Sequence, residues 1–183
     1  MARFALQGFD STSMNEIAAD VGLKKPSVYG HFRNKDELYL SLIPILVESE
    51  LQFAAGCIRG GKTIRKQLLS YLKGIRSRYE DSYAVQFWTR AVFHVPSHIY
   101  DEVLTPLHGF VQSLELIILN AIRDSELADN PGKLSSEALA MTVMSMIDSL
   151  QGALIYGGTA CFNRRLKSVW AVFEAATSPR EEG

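Results

Sequence analysis

The chain has 183 residues, 47% of them hydrophobic and 21% charged, with a formal net charge of −1. That balance describes an ordinary globular chain with one or two cores, and it excludes a globally basic nucleic-acid binder, so attraction to a polyanion has to be local. Two cysteines, Cys57 and Cys161, far apart and outside any CxxC, exclude a disulfide framework or a cysteine zinc site and fit a reducing cytoplasm.

No signal-peptide pattern opens the chain, and apolar stretches interrupted by Pro44, Asp148 and Gln151 lead us to expect no membrane span. Residues 1–7 are too few for a self-standing helix. They read as the end of a helix whose first turns are absent, with Phe4 buried and Gly8 as C-terminal cap. Ser13-Met14-Asn15-Glu16 has capping-box spacing, and Met14, Ile17, Ala18 and Val21 then recur with helical period over 13–20. Gly22 suits a left-handed turn, and Pro26 suits the first position of a second helix. In that helix Val28 and Phe32 point inward, leaving Lys25, Ser27, Tyr29, Gly30 and His31 outward or at its leading end. Two short helices meeting at a glycine, the second basic and aromatic, predict a helix-turn-helix whose second helix enters the major groove.

Asn34 and Glu37 form a second capping signal, and Lys35 at that helix start makes a natural phosphate clamp. Between Lys24 and Lys35 stand four Lys or Arg and no acid. A charge run by itself is usually a solvated face. Here the two caps, the glycine turn and the outward Tyr, His and Lys set act together and favour DNA binding.

The run from Gly8 to Ile43 closely resembles the N-terminal domain of the TetR (tetracycline-repressor-like) family of bacterial transcriptional regulators. The shared pattern is Gly8-Phe9, Thr12-Ser13, Ile17-Ala18, Val21-Gly22, Tyr29, His31-Phe32, and Lys35 before Leu38. The resemblance implies that Ser13 and Asn15 approach backbone or bases. It places Lys25, Pro26, Ser27, Tyr29, Gly30 and His31 at the groove, beside Lys24, and Lys35 on a phosphate. Gly30 offers no side chain where a larger one could touch a base, which shifts base reading towards Lys25 and Ser27.

Further on, Leu38, Leu42, Ile45, Leu46 and Phe53 predict a helix over 35–57, kinked at Pro44. Gly60-Gly61 marks a boundary. Helices are expected over 62–80 (Ile64, Leu68, Leu72, Ile75, Tyr79) and 82–94 (Tyr83, Phe87, Ala91, Val95). Thr105-Pro106 reads as cap and first position of a helix to about Leu127, striped by Leu107, Phe110, Val111, Leu114, Ile117, Ile118 and Ala121. Asp129-Asn130-Pro131-Gly132 reads as a turn, and helices over 135–156 and 160–177 close the chain.

The family resemblance implies a ligand cavity in the middle helices. Phe53, Tyr71, Phe87, Trp88, His94 and Phe110 are the candidate lining. It also implies a four-helix dimer interface in the last two helices, for which Met144, Ile147, Leu150, Leu166, Trp170 and Phe173 are the candidates. His94, His98 and Asp101 have metal-capable spacing, but Pro96 breaks the helix that would align them, so no metal and no cofactor is expected. GxSxG, a phosphate-binding glycine loop and HExxH are absent, and no catalytic residue is assigned.

The chain is thus expected to be all-α: a three-helix DNA-binding head over 1–45, a regulatory and dimerising body over 46–178, and a flexible tail over 179–183. The function expected is a cytoplasmic homodimeric repressor, released from a palindromic operator in double-stranded DNA by a small apolar or aromatic effector, with no membrane partner. A DNA-binding regulator without an effector, and a helical enzyme with an incidental basic head, are the alternatives.

Overall fold

The structure is a computed structural model and describes residues 1–59, 63–129 and 134–178. Among these residues every regular element is helical: α1 (Ala2–Gln7), α2 (Met14–Asp20), α3 (Lys25–His31), α4 (Lys35–Ile58), α5 (Ile64–Asp81), α6 (Tyr83–Phe93), a 3-10 turn (Ser97–Ile99), α7 (Tyr100–Arg123) and α8 (Ser136–Thr177). The all-α class holds. Gly60-Gly61, the Asn130-Pro131-Gly132 part of the expected turn, and the 179–183 tail lie outside the described residues.

Two compact units emerge: Met1–Glu50 with Tyr79–Phe110, and Leu51–Arg78 with Val111–Gly183. The expected division after residue 45 falls inside α4, which runs from Lys35 to Ile58.

In the first unit α1 packs on α6. Six residues make no stable helix alone; burial of Phe4 and Ala5 holds this one. The Phe4 ring lies 5.2 Å from Tyr39 and 5.6 Å from Phe87, and those two are 5.0 Å apart. Phe9 joins from the next loop, 5.2 Å from Tyr39. Such ring pairs contribute about 0.5–1.5 kcal/mol each beyond area burial. Farther along, Trp88 meets Phe110 edge to face at 4.7 Å.

In the second unit the core is aliphatic, with Leu68 and Leu72 of α5 and Leu114, Ile118 and Ile122 of α7 fully buried. Arg65 of α5 donates to the Thr177 carbonyl and hydroxyl, fastening the end of α8. The α8 run is the expected pair of helices: it breaks at Gly158, whose φ of 62° lies in the left-handed region that side-chain-bearing residues resist. Gly157 is small for a second reason, because a Cβ there would stand 2.5 Å from that of Cys161.

Several expected registers shift. On α4 the buried row is Tyr39, Ile43, Leu46 and Ala54, while Ile45 is exposed and Leu38, Leu42 and Phe53 are half-buried. Adjacent apolar rows share the same period, so periodicity cannot choose between them. The helix also continues through Pro44, with buried Tyr39, Ile43 and Leu46 packed on both sides of it. The expected start at Thr105-Pro106 is superseded: α7 begins at Tyr100 and takes Pro106 into its interior. Val111 and Tyr83, expected on buried stripes, are exposed.

One expectation is corrected. Helix α4, the 97–123 stretch and α8 are each long and apolar enough to cross a membrane by length and composition. A single proline or acid lowers the average of an 18-residue window too little to exclude it.

Candidate nucleic-acid interface

Local chemistry shapes the α2–turn–α3 unit. The Ser13 hydroxyl accepts from the Glu16 amide, and the Glu16 carboxylate accepts from the Ser13 amide at 2.9 Å, the full capping box its spacing predicts. The Ser13 hydroxyl and amide hold the Glu16 carboxyl below the usual carboxylate range, with Arg3 adding a smaller pull. Gly22, at φ 67°, turns the chain, and the Leu23 amide returns to the Ala18 carbonyl at 2.9 Å. Pro26 sits at the second helical position of α3, one later than expected, since the helix begins at Lys25. Met14, Ala18 and Val28 form the buried cluster between the helices, with Phe32 and Leu38 packed against it. Val21, expected on that face, is 60% exposed because it is the residue at which α2 ends.

The outer face is where sequence placed it. Ser13, Asn15, Lys24, Lys25, Pro26, Ser27, Tyr29, Gly30 and His31 are all exposed, and Val28 is the one buried residue of α3. Tyr29 is 43% exposed, with the Lys25 ammonium 5.6 Å from its ring centre one turn away. A Cβ on Gly30 would meet nothing within 4 Å, so α3 presents an open stretch of backbone there. A backbone lying close to a groove without side-chain hindrance can approach phosphate or base edges.

Lys35 stands differently. Its ammonium donates to the Phe9 carbonyl at 2.7 Å and lies 4.0 Å from the Phe9 ring centre. An ammonium has three donors, so this bond anchors the group and leaves others to face outward. Asn34 caps α4 by accepting from the Glu37 amide at 2.8 Å, but the Glu37 carboxylate returns to the Arg33 amide rather than to Asn34.

Residues outside the motif complete the head. Arg3 binds Asp20 at 2.7 Å and Glu16 at 3.1 Å, tying α1 to α2. Thr12, almost fully buried, donates to the Gly8 carbonyl at 2.7 Å. His98 lies 3.0 Å from the Asp36 carboxylate and 5.2 Å from the Phe9 ring. Sequence reasoning missed the pairings of Arg3 and His98 because their partners lie 17 and 62 residues away. Only the Gly8–Thr12 spacing carried a local signal.

The six candidate cavity residues are shared between the two units. Phe53 and Tyr71 belong to the second unit, 5.3 Å apart, with the Arg78 guanidinium 4.1 Å over Phe53. Phe87, Trp88, His94 and Phe110 belong to the first unit. There Trp88 packs on Phe110, while Phe87 and His94 line a cleft of about 440 Å³.

The six candidate interface residues lie inside the second unit. Met144, Ile147, Leu150, Leu166, Trp170 and Phe173 are 0–8% exposed within the single chain, so they build the core of their own unit. What α8 leaves outside includes Met141, Tyr156 and Val172, at 52%, 75% and 69% exposure.

His94 caps the end of α6, and His98 lies in the 3-10 turn beyond Pro96, so the two histidines share no helix. Among the described residues no group of three His, Cys, Asp or Glu side chains is placed to hold a metal ion. Both cysteines are half-buried free thiols, and burial pushes the Cys57 thiol up.

With the geometry in place, comparison with known proteins is specific at the head and general over the body. Residues 1–42 match the family described as bacterial regulatory proteins, tetR family. A 36-residue stretch is 42% identical to IcaR, the negative transcriptional regulator of the biofilm operon icaADBC in Staphylococcus epidermidis. That match covers 20% of this chain and 20% of IcaR. Over nearly the full length the fold is similar to a putative TetR-family regulator from Rhodococcus sp., with TM-score 0.67 and 16% identity, covering 97% of this chain and 94% of that one. It is likewise similar to FadR from Bacillus subtilis, solved with stearoyl-CoA, with TM-score 0.65 and 15% identity, covering 98% and 96%.

Proposed function

From the match of residues 1–42 to the tetR family of bacterial regulatory proteins, we propose that the chain is a sequence-specific transcriptional regulator that reads duplex DNA through α3. The observation that carries this reading is the one-sided burial of α3. Val28 alone is buried, and Lys25, Ser27, Tyr29 and His31 face outward on a segment with four basic residues and no acid. Lys24, Lys25 and Lys35 supply phosphate attraction, Lys25, Ser27 and Tyr29 supply base contacts, and Ser13 and Asn15 touch the flanking backbone.

The division of labour is a reading head over 1–45 and a regulatory body over 46–178. A homodimer would set two α3 helices one turn of DNA apart on a palindromic site. Exposed Met141, Tyr156 and Val172 support α8 as the paired surface. IcaR is a negative regulator, which supports repression, and FadR was solved with stearoyl-CoA, which supports relief by a small molecule; the protein is read as cytoplasmic and not an enzyme. Such a molecule has to bind the DNA-incompetent arrangement more tightly than the competent one.

Selection of bound sequences from a random duplex pool tests the proposal. Enrichment of a palindrome with half-sites about one helical turn apart is the expected outcome. Retention of duplexes with no enriched sequence would overturn it.

A further inference from the structure

A cleft of about 440 Å³ in the first unit takes none of its lining from α2 or α3. Its floor is aromatic, from Phe4 of α1, Tyr39 of α4 and Phe87 of α6, packed ring on ring. Its walls carry Arg90 from the last turn of α6, His94 at that helix's C-terminal cap, and Asp10 from the loop after α1.

Two groups there await a partner. Arg90 is exposed and makes no ion pair among the described residues. Its guanidinium lies against Gly8, where an added Cβ would come within 3.5 Å of it. Tyr39 is only 3% exposed, yet among the described residues its contacts are rings and its hydroxyl has no acceptor. Burial raises that hydroxyl to about 12, so at neutral pH it is a donor. The hydroxyl is not among the buried atoms left without a partner, so it reaches the cleft, where an acceptor can meet it.

We infer that this cleft binds a small planar monocarboxylate with an aromatic or conjugated body, its ring on the aromatic floor, its charge met by Arg90 and a lone pair offered to Tyr39. The volume suits a ligand of about one or two rings. Asp10 at the wall disfavours a second negative charge, and His94, already partnered, shapes the opening. Because the cleft is built from α1 and α4 on one side and α6 on the other, an occupant ties the reading head to the 79–110 segment. The regulatory consequence rests on the reading of the chain as an operator-binding protein. Binding itself does not.

Titration of the full chain with trans-cinnamate, and with trans-cinnamamide as its uncharged match, tests the site. Cinnamate should bind saturably and at least about ten-fold tighter than the amide, as a charge-assisted contact requires. Arg90→Gln should abolish that preference, and Tyr39→Phe should weaken cinnamate while keeping the preference for charge. Equal binding of acid and amide, indifference to Arg90→Gln, or no saturation at millimolar cinnamate would each overturn the site. On a selected operator, cinnamate should change the affinity of the parent and not of Arg90→Gln. Binding in the cleft with no change on the operator would overturn the coupling alone. Failure to select any operator would remove the functional reading and leave the titration to decide the site.

Discussion

Helices α3 and α8 illustrate opposite ways in which a sequence is used. In α3 one residue of seven is buried, and everything that holds the helix is local: a glycine turn before it, a proline in its first turn, and one valine against Met14 and Ala18. Its other side chains are free for a partner. In α8 the apolar residues are so numerous that burial runs along the length of the helix, and its core-facing row satisfies its own unit before any second copy is considered. Where polar residues surround a minimal anchor, exposure points to function. Where apolar residues are in excess, only the packed chain tells core from interface.

Substitutions that separate anchor from surface break or sharpen this contrast. The largest effect is expected at Phe4: Phe4→Ala removes a ring packed on Tyr39 and Phe87 and should cost about 3–5 kcal/mol, measured by urea unfolding. A loss below 1 kcal/mol would mean that α1 is not held by its aromatic contacts. In α8, Ile147→Ala should cost about 2–4 kcal/mol of stability. Tyr156→Glu and Val172→Glu should leave unfolding within about 0.5 kcal/mol of the parent and weaken self-association in sedimentation. Dimers unchanged by both glutamates would move the pairing surface off the exposed side of α8.

A smaller effect is expected at Lys35. Because its ammonium anchors the Phe9 carbonyl and ring, Lys35→Ala should cost about 1 kcal/mol of stability. It should also lower affinity for all duplexes alike and reduce the salt slope by about one. A slope equal to that of the parent would confine Lys35 to the anchoring role.

Arg3 gives the smallest effect, and it follows pH. Hydrogen bonding and charge from Arg3 hold the Asp20 carboxyl below its ordinary value. A depressed acid contributes stability above its unfolded pKa and loses it as pH falls through the folded one. The parent should therefore lose stability below about pH 4 more steeply than Arg3→Ala. Parallel acid-unfolding curves would show that the exposed pair contributes nothing.

Much of the head was legible in the sequence because its determinants are neighbours. Ser13 and Glu16 are three residues apart, and Gly22 marks its own turn. Asn34 announces the start of α4 even though Glu37 returns to Arg33. What lay outside local reach was Arg3 on Asp20, His98 on Asp36, and Lys35 on Phe9, since each partner is brought near only by the fold. In the body, periodicity found the helices but not their facing: Ile45 and Val111 fell on the wet side, and Pro106 sits inside a helix it was expected to begin. Among the aromatic residues grouped by type, Phe53 pairs with Tyr71 and Trp88 with Phe110, pairings that ring content alone does not give.

The central claim is that α3 presents side chains whose purpose is DNA and not folding, and Tyr29 tests it most directly. Operator affinity of parent and Tyr29→Ala, measured by fluorescence anisotropy at fixed salt beside their unfolding curves, should differ by about ten-fold or more while stability stays within about 0.5 kcal/mol. Equal affinity of the two proteins for the operator would contradict the claim.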